Sequence, residues 1–185
     1  MTHEAAQLIF RYSWSILLAI TVLWLILFED RPKTKAGIVA NLIVVVPYLT
    51  VFGLYYIRNY AGTFEGTTVF RITGAAVLFL GMAIYIYSHF LLRGNWSVMA
   101  SIKKNHRLVK TGPYGYIRHP MFASMLLIVP GSGLLISNYL IIAFTPVVWA
   151  IYYIRAKKEE ELLKEEFPEY GQYIKETKMF VPLIF

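Results

Sequence analysis

Polar punctuation is sparse along this chain, and it falls between long apolar runs. Residues 12–28, 38–57 and 72–92 contain no charged side chain. Runs near 20 residues are what an α-helix needs to cross the roughly 30 Å hydrocarbon layer of a bilayer. A fourth run, residues 121–154, also lacks acidic and basic side chains but is too long for one span. Ser137-Asn138 interrupts it, so two helices of about 16 residues are expected to form a hairpin. Each is short for a perpendicular crossing, which tilt or amphipathic ends would accommodate. The pattern predicts an all-α integral membrane protein with five transmembrane helices. Helices 4 and 5 form the hairpin, and a cytoplasmic amphipathic segment closes the chain. The first apolar run lacks a small-residue cleavage site and reads as an uncleaved span, not a signal peptide. Residues 1–185 form a single membrane domain in this reading, with spans 1–3 in residues 1–92 and a catalytic half in residues 93–185.

Charge placement tests the span count. Five spans put the amino terminus, the loop after helix 2 and the Ser137-Asn138 turn on one face, with Arg11, Arg58 and Arg71. The other fifteen of the 18 Lys and Arg fall on the opposite face. By the positive-inside rule that basic face is cytoplasmic. Treating residues 121–154 as one helix would send the basic carboxyl-terminal segment to the other side. The net charge of +7 thereby becomes a matter of topology and anionic-lipid contact, and implies no nucleic acid. The 57% hydrophobic content and mean hydropathy of +0.53 agree with a membrane protein. The predicted spans hold no Asp, Glu or Lys, which argues against an ion-coupled carrier or proton pump. With no cysteine, disulfides, thiolate metal sites and Cys nucleophiles are excluded. Dinucleotide-binding GxGxxG, P-loop and HExxH patterns are also absent, and no carboxylate cluster points to a metal.

Chemistry must therefore gather at the basic rim. Residues 93–120 are long for a connection. They hold His106-Arg107-Leu108-Val109, Thr111-Gly112-Pro113-Tyr114 and Arg118-His119-Pro120. Pro120 suits the first turn of a helix. Arg118 and His119 then lie at the amino end of helix 4, where free N–H groups and the helix dipole favour an anion. At the end of helix 5, Arg155 and Glu159 share a face at i and i+4, with Tyr152 one turn inward. A cation, a carboxylate and an aromatic at a lipid–water boundary are able to hold a charged ligand. Phe167, Tyr170 and Tyr173, spaced by three, read as a cap on this rim. Gly131-Ser132-Gly133 after Pro130 reads as a kink with close helix packing.

These residues, in this order, resemble the isoprenylcysteine carboxyl methyltransferase family. Its signature is His-x-Leu-Val, Gly-x-Tyr, Arg-His-Pro-x-Tyr and a later Glu-Glu helix. The chain shows His106-x-Leu108-Val109, Gly112-x-Tyr114, Arg118-His119-Pro120-x-Phe122 and Glu159-Glu160. The likeness continues through Phe167, Tyr173 and Pro182 and covers about half the chain. It implies a membrane methyltransferase that uses S-adenosylmethionine and yields S-adenosylhomocysteine. By resemblance, His106, Leu108, Val109, Tyr114, His119, Pro120, Met121, Phe122, Glu159 and Glu160 bind the cofactor. Arg155 is the catalytic residue that meets the carboxylate of a lipid or prenylated substrate embedded among membrane lipids. No obligate protein partner is evident. Phe122 stands where the family usually has Tyr, Ser124 replaces a common Gly, and the segment after Phe167 is one residue short. Three other functions stay open: a phospholipid N-methyltransferase, an NADPH-dependent membrane reductase and a non-catalytic scaffold. An amine acceptor would need deprotonation and no Arg155, whereas cofactor binding separates the other two.

Overall fold

The computed structural model describes residues 1–28, 47–57, 62–92 and 108–182. These are helical throughout, joined by turns and two isolated β-bridges. Helix α1 spans His3–Phe28, α2 covers residues 47–57, and α3 spans Thr68–Leu92. After a 3-10 turn at Gly112–Gly115 come α4 (Pro120–Leu135), α5 (Tyr139–Ala143), α6 (Thr145–Glu166) and α7 (Tyr170–Glu176). Among the described residues, three helical stretches are long and apolar enough to cross a membrane: His3–Leu23, Thr68–Leu92 and the α5–α6 length Tyr139–Glu166. Helix α4 is apolar but shorter.

Both α1 and α3 begin earlier than their charge-free runs. Arg11 lies inside α1 because its Nε donates to Tyr55 Oη on α2 at 2.8 Å. Arg71 lies inside α3 and donates to the Met1 carbonyl at 3.3 Å. A charge marks the edge of the hydrocarbon but does not stop a helix.

Ser137-Asn138 does turn the chain, as expected. Ser137 adopts a positive φ of 56°, and the Asn138 side chain caps α5 by accepting from Ile141 N at 3.1 Å. The sequence reading missed a second interruption at Phe144, where α5 gives way to α6. Pro146 lacks the N–H to continue the ladder and sits comfortably in the first turn of the new helix. The turn also receives the loop after α2. Phe64 N donates to Ser137 O at 3.1 Å and Tyr139 N to Gly62 O at 2.7 Å. Together with the Arg71–Met1 contact, these bonds gather the three segments expected on one face.

Helices α3 and α4 share the most extensive interface. Their backbones approach through glycines: a Cβ on Gly131 would lie 2.7 Å from Leu78 N, and one on Gly74 would strike the Leu135 amide. Without a hydrophobic drive between helices in lipid, such close packing supplies the attraction. Helix α1 docks on α4 through Trp14 Nε1, which donates to Ser132 Oγ at 2.8 Å. Phe10, Trp14, Tyr48 and Tyr55 fill the α1–α2 contact, with Phe10 and Tyr55 rings stacked 4.6 Å apart. The outward face of α3 exposes Val69, Ile72, Phe79, Leu80, Ile86 and Phe90. That face is suited to lipid.

Candidate active site at the polar rim

The end of the bundle opposite the Ser137-Asn138 turn is closed by the carboxyl-terminal segment. Residues 116–119 run beside residues 178–179: Arg118 N donates to Lys178 O at 2.8 Å, His119 N to Met179 O at 3.1 Å, and Lys178 N to Tyr116 O at 3.1 Å. Arg118 is the hub of the closure. Its Nε donates to Glu160 Oε1 on α6 at 2.6 Å, and its Nη1 to the carbonyls of Thr177 at 2.5 Å and Ile174 at 3.3 Å. The two charged side chains retain only 8% and 5% exposure. His119 precedes α4 as its N-cap residue and places Nε2 3.4 Å from the same Glu160 oxygen. A carboxylate does therefore sit at the amino end of α4, and it comes from the protein itself.

Tyrosines complete the cap. Tyr173 Oη donates to the Tyr114 carbonyl at 2.6 Å. Burial pushes the Tyr173 phenol up to about 12, the Arg118 charge opposing and the Glu160 charge assisting. Burial likewise raises Tyr114 well above the usual range, with Glu159 adding to it, and raises Tyr170, with Glu160 and Glu159 adding. All three remain protonated donors near neutral pH. The Tyr170 hydroxyl is buried and lacks a hydrogen-bond partner among the described residues.

Beneath the cap lies a column of flat rings. His119 and Phe122 stack with centroids 5.5 Å apart and planes within 2°, and Phe122 stacks on Tyr152 at 5.0 Å and 16°. The Arg155 guanidinium stands 5.4 Å above the Phe122 ring. Such cation–π contact contributes about 2 kcal/mol when desolvated. Arg155 is buried, and with Tyr48, Tyr85, Met121, Phe122, Met125 and Tyr152 it lines a small hollow. A larger hollow, lined by Ile84, Ile117, Leu126, Leu127 and Phe180 among others, has no charged side chain in its lining among the described residues.

The structure thus brings His119, Met121, Phe122, Arg155 and Glu160 to one rim, with Pro120 opening α4 and Tyr114 held in the cap. Glu159 is half-buried beside them, and Leu108 and Val109 are half-buried in the approach. His106 lies outside the described residues. Two details differ from the sequence pattern. The buried carboxylate of the Glu159-Glu160 pair is Glu160, held by Arg118, while Arg155 turns toward α4 and the hollow. The Phe167–Tyr173 stripe is divided, because Phe167 ends α6 and only Tyr170 and Tyr173 lie buried on α7. Sequence reasoning set Arg118 beside His119 at the rim without naming Glu160 as its partner, and passed over Tyr48 and Tyr85. Their signal was weak: tyrosines within apolar runs.

The sequence model of the isoprenylcysteine carboxyl methyltransferase (ICMT) family matches residues 72–165. Protein-S-isoprenylcysteine O-methyltransferase of Schizosaccharomyces pombe is 30% identical over 116 residues, 60% of this chain and 49% of that protein. The cobalt-zinc-cadmium resistance protein CzcN of Cupriavidus metallidurans is 32% identical over 81 residues, 43% of this chain and 38% of that protein. The chain thus spans half or less of the length of these curated relatives. A solved structure of the eukaryotic intramembrane Ras methyltransferase ICMT superposes with a TM-score of 0.60 at 21% identity, covering 82% of this chain and 55% of that one. The fold is shared, the matched segment carries α3 through the ionic end of α6, and the chain belongs to the isoprenylcysteine carboxyl methyltransferase family.

Proposed function

We propose that this protein is an S-adenosylmethionine-dependent O-methyltransferase that esterifies the carboxylate of a membrane-embedded, isoprenylcysteine-like lipid. In this reading five helices span the bilayer and the active site faces the cytoplasm. The supporting observation is the buried Arg155 guanidinium at an otherwise largely apolar hollow, against the His119–Phe122–Tyr152 rings.

The rim fits the cofactor's chemistry. Its sulfonium is a cation, and the ring column offers π faces to receive one. Its amino acid group needs polar partners, which the unpartnered Tyr170 hydroxyl and the half-buried Glu159 carboxylate provide. His119, Pro120, Met121, Phe122, Tyr114, Leu108, Val109 and Glu159 would hold it, with His106 as the resemblance implies. Glu160, its Oε1 committed to Arg118, would act by fixing the Arg118–His119 corner. When bound, the cofactor supplies an electrophilic methyl group.

The remaining work falls to the protein. A carboxylic acid with an ordinary pKa is ionised at neutral pH, so no general base is required. Arg155 would orient the acceptor carboxylate, while Met121, Phe122, Met125 and Tyr152 exclude water. Methylation of a carboxylate oxygen would release no proton, so the rim residues would need only to position the acceptor and hold water away. The product ester is neutral, so its attraction to Arg155 falls and release is favoured.

Calorimetric titration of the purified protein with S-adenosylhomocysteine and, separately, NADPH tests this reading. Binding of the former alone is expected, weakened by His119→Ala and Glu159→Ala and kept by Arg155→Ala. Binding of NADPH alone would move the protein to the reductases. Loss of cofactor binding in Arg155→Ala would overturn the role given to that residue.

A further inference from the structure

The motif-bearing half leaves α1 and α2 without chemistry, yet both send hydroxyls to the same end of the bundle. Thr21 of α1, Tyr48 of α2 and Tyr85 of α3 form a buried trio. Thr21 Oγ1 lies 2.8 Å from each tyrosyl oxygen, and these are 3.2 Å apart. Thr21 also donates to the Leu17 carbonyl at 2.8 Å, which commits its proton. Both tyrosines line the hollow that contains Arg155.

Counting protons shows what the trio offers. Three hydroxyl protons serve four contacts, one of them to Leu17, so the internal network is redundant. Either tyrosine can turn its proton to a ligand and still accept from its neighbour, leaving no hydroxyl oxygen stranded. Tyrosyl donors therefore border a hollow whose one charged lining residue is a cation. A guanidinium and two phenols in one lining suit an anion with more than one oxygen, and a guanidinium repels an ammonium. The rest of the lining is Met121, Phe122 and Met125 with the ring of Tyr152, surfaces that suit hydrocarbon.

We infer that Tyr48 and Tyr85 form an acceptor-binding pair, one phenol donating to the carboxylate oxygen that is not methylated while accepting from the other, with Arg155 binding the same group. This rests on the carboxyl methyltransferase reading above. It makes the acceptor site a joint product of the amino-terminal and motif-bearing helices. It also gives the site a basis for preferring a carboxylate lipid over an amine lipid.

The test uses the full chain in lipid nanodiscs, S-adenosylmethionine and an N-acetylated S-prenylcysteine with a free carboxylate. The Tyr48→Phe, Tyr85→Phe double variant, which leaves the pair no proton to give, should raise the KM for this acceptor about tenfold, the effect of one hydrogen bond to a charged group. Affinity for S-adenosylhomocysteine should stay within twofold of wild type, and Thr21→Ser, which keeps the hydroxyl, should retain the wild-type KM. Unchanged acceptor KM in the double variant would overturn the inference while leaving the methyltransferase reading intact. Parallel loss of cofactor affinity would assign the trio to packing and also overturn it. Failure of the wild-type protein to methylate the acceptor would instead sink the underlying reading, and the inference with it.

Discussion

Arg118→Ala removes the most connected side chain of the rim, and its effect follows from the geometry. Three hydrogen bonds are lost, to Glu160 Oε1, Thr177 O and Ile174 O. The Glu160 carboxylate is left with its side chain only 5% exposed and the His119 ring, Nε2 3.4 Å away, beside it. Removing one member of a buried ion pair typically costs 3–5 kcal/mol, because the stranded charge keeps its desolvation penalty. The backbone pairing of residues 116–119 with 178–179 and the Tyr173–Tyr114 bond persist. The loss should therefore appear as local opening of the cap. About 3 kcal/mol corresponds to a hundredfold increase in that opening. Glu160→Gln keeps an acceptor for Arg118 and should cost about 1–2 kcal/mol. The double variant should be less destabilised than the sum of the singles, since no unpaired carboxylate remains. Hydrogen exchange in residues 170–180 reads the effect, with exchange in α3 as the internal reference. Wild-type protection across that segment in Arg118→Ala would refute the assignment of Arg118 as the hub.

Further outcomes follow from the same contacts. Gly74→Ala should destabilise by about 1–3 kcal/mol, because a Cβ there strikes the Leu135 amide, whereas Gly53→Ala in α2 meets nothing within 4 Å and should be neutral or stabilising in thermal melts. Tyr173→Phe should loosen the cap by about 1 kcal/mol through loss of the bond to Tyr114 O, seen as faster exchange at the 3-10 turn. Because the Tyr173 phenol is raised to about 12 by burial, the stability it contributes is complete below its unfolded value near 10 and is lost as pH rises toward 12. An alkaline unfolding profile should accordingly be steeper for wild type than for Tyr173→Phe over that interval; equal slopes would count against the burial of this hydroxyl. Arg155→Ala should reduce carboxylate methylation at least tenfold, read by initial rates with saturating cofactor.

Much of the fold was legible because lipid imposes a coarse rule: apolar runs of sufficient length become helices, and Ser137-Asn138 was polar enough to mark the turn. The boundaries at His3 and Thr68 were not, because Arg11 and Arg71 find partners only after folding. Position 144 was hidden as well, since Thr145-Pro146 reads equally as a kink within a helix or the first turn of a new one. At the site, the order of His, Pro, Arg and Glu along the chain identified the rim, and spacing placed Tyr152 and Arg155 on one face. Spacing did not reveal that Glu160 answers Arg118 across 42 positions, because long-range ion pairing leaves no local period. The hydroxyl trio was hidden for the same reason: its members come from three helices, each tyrosine looking like ordinary apolar filling.

The most direct test follows a labelled methyl group. The full chain in nanodiscs would receive methyl-labelled S-adenosylmethionine and an equimolar mixture of an S-prenylcysteine carboxylate and an amine-headed phospholipid. Base hydrolysis of the extracted lipid separates the products, because a methyl ester releases labelled methanol and an N-methyl group does not. The account predicts base-labile label on the prenylcysteine, abolished when its carboxylate is replaced by an amide. Base-stable label on the phospholipid, or no transfer by protein that binds S-adenosylhomocysteine, would contradict it.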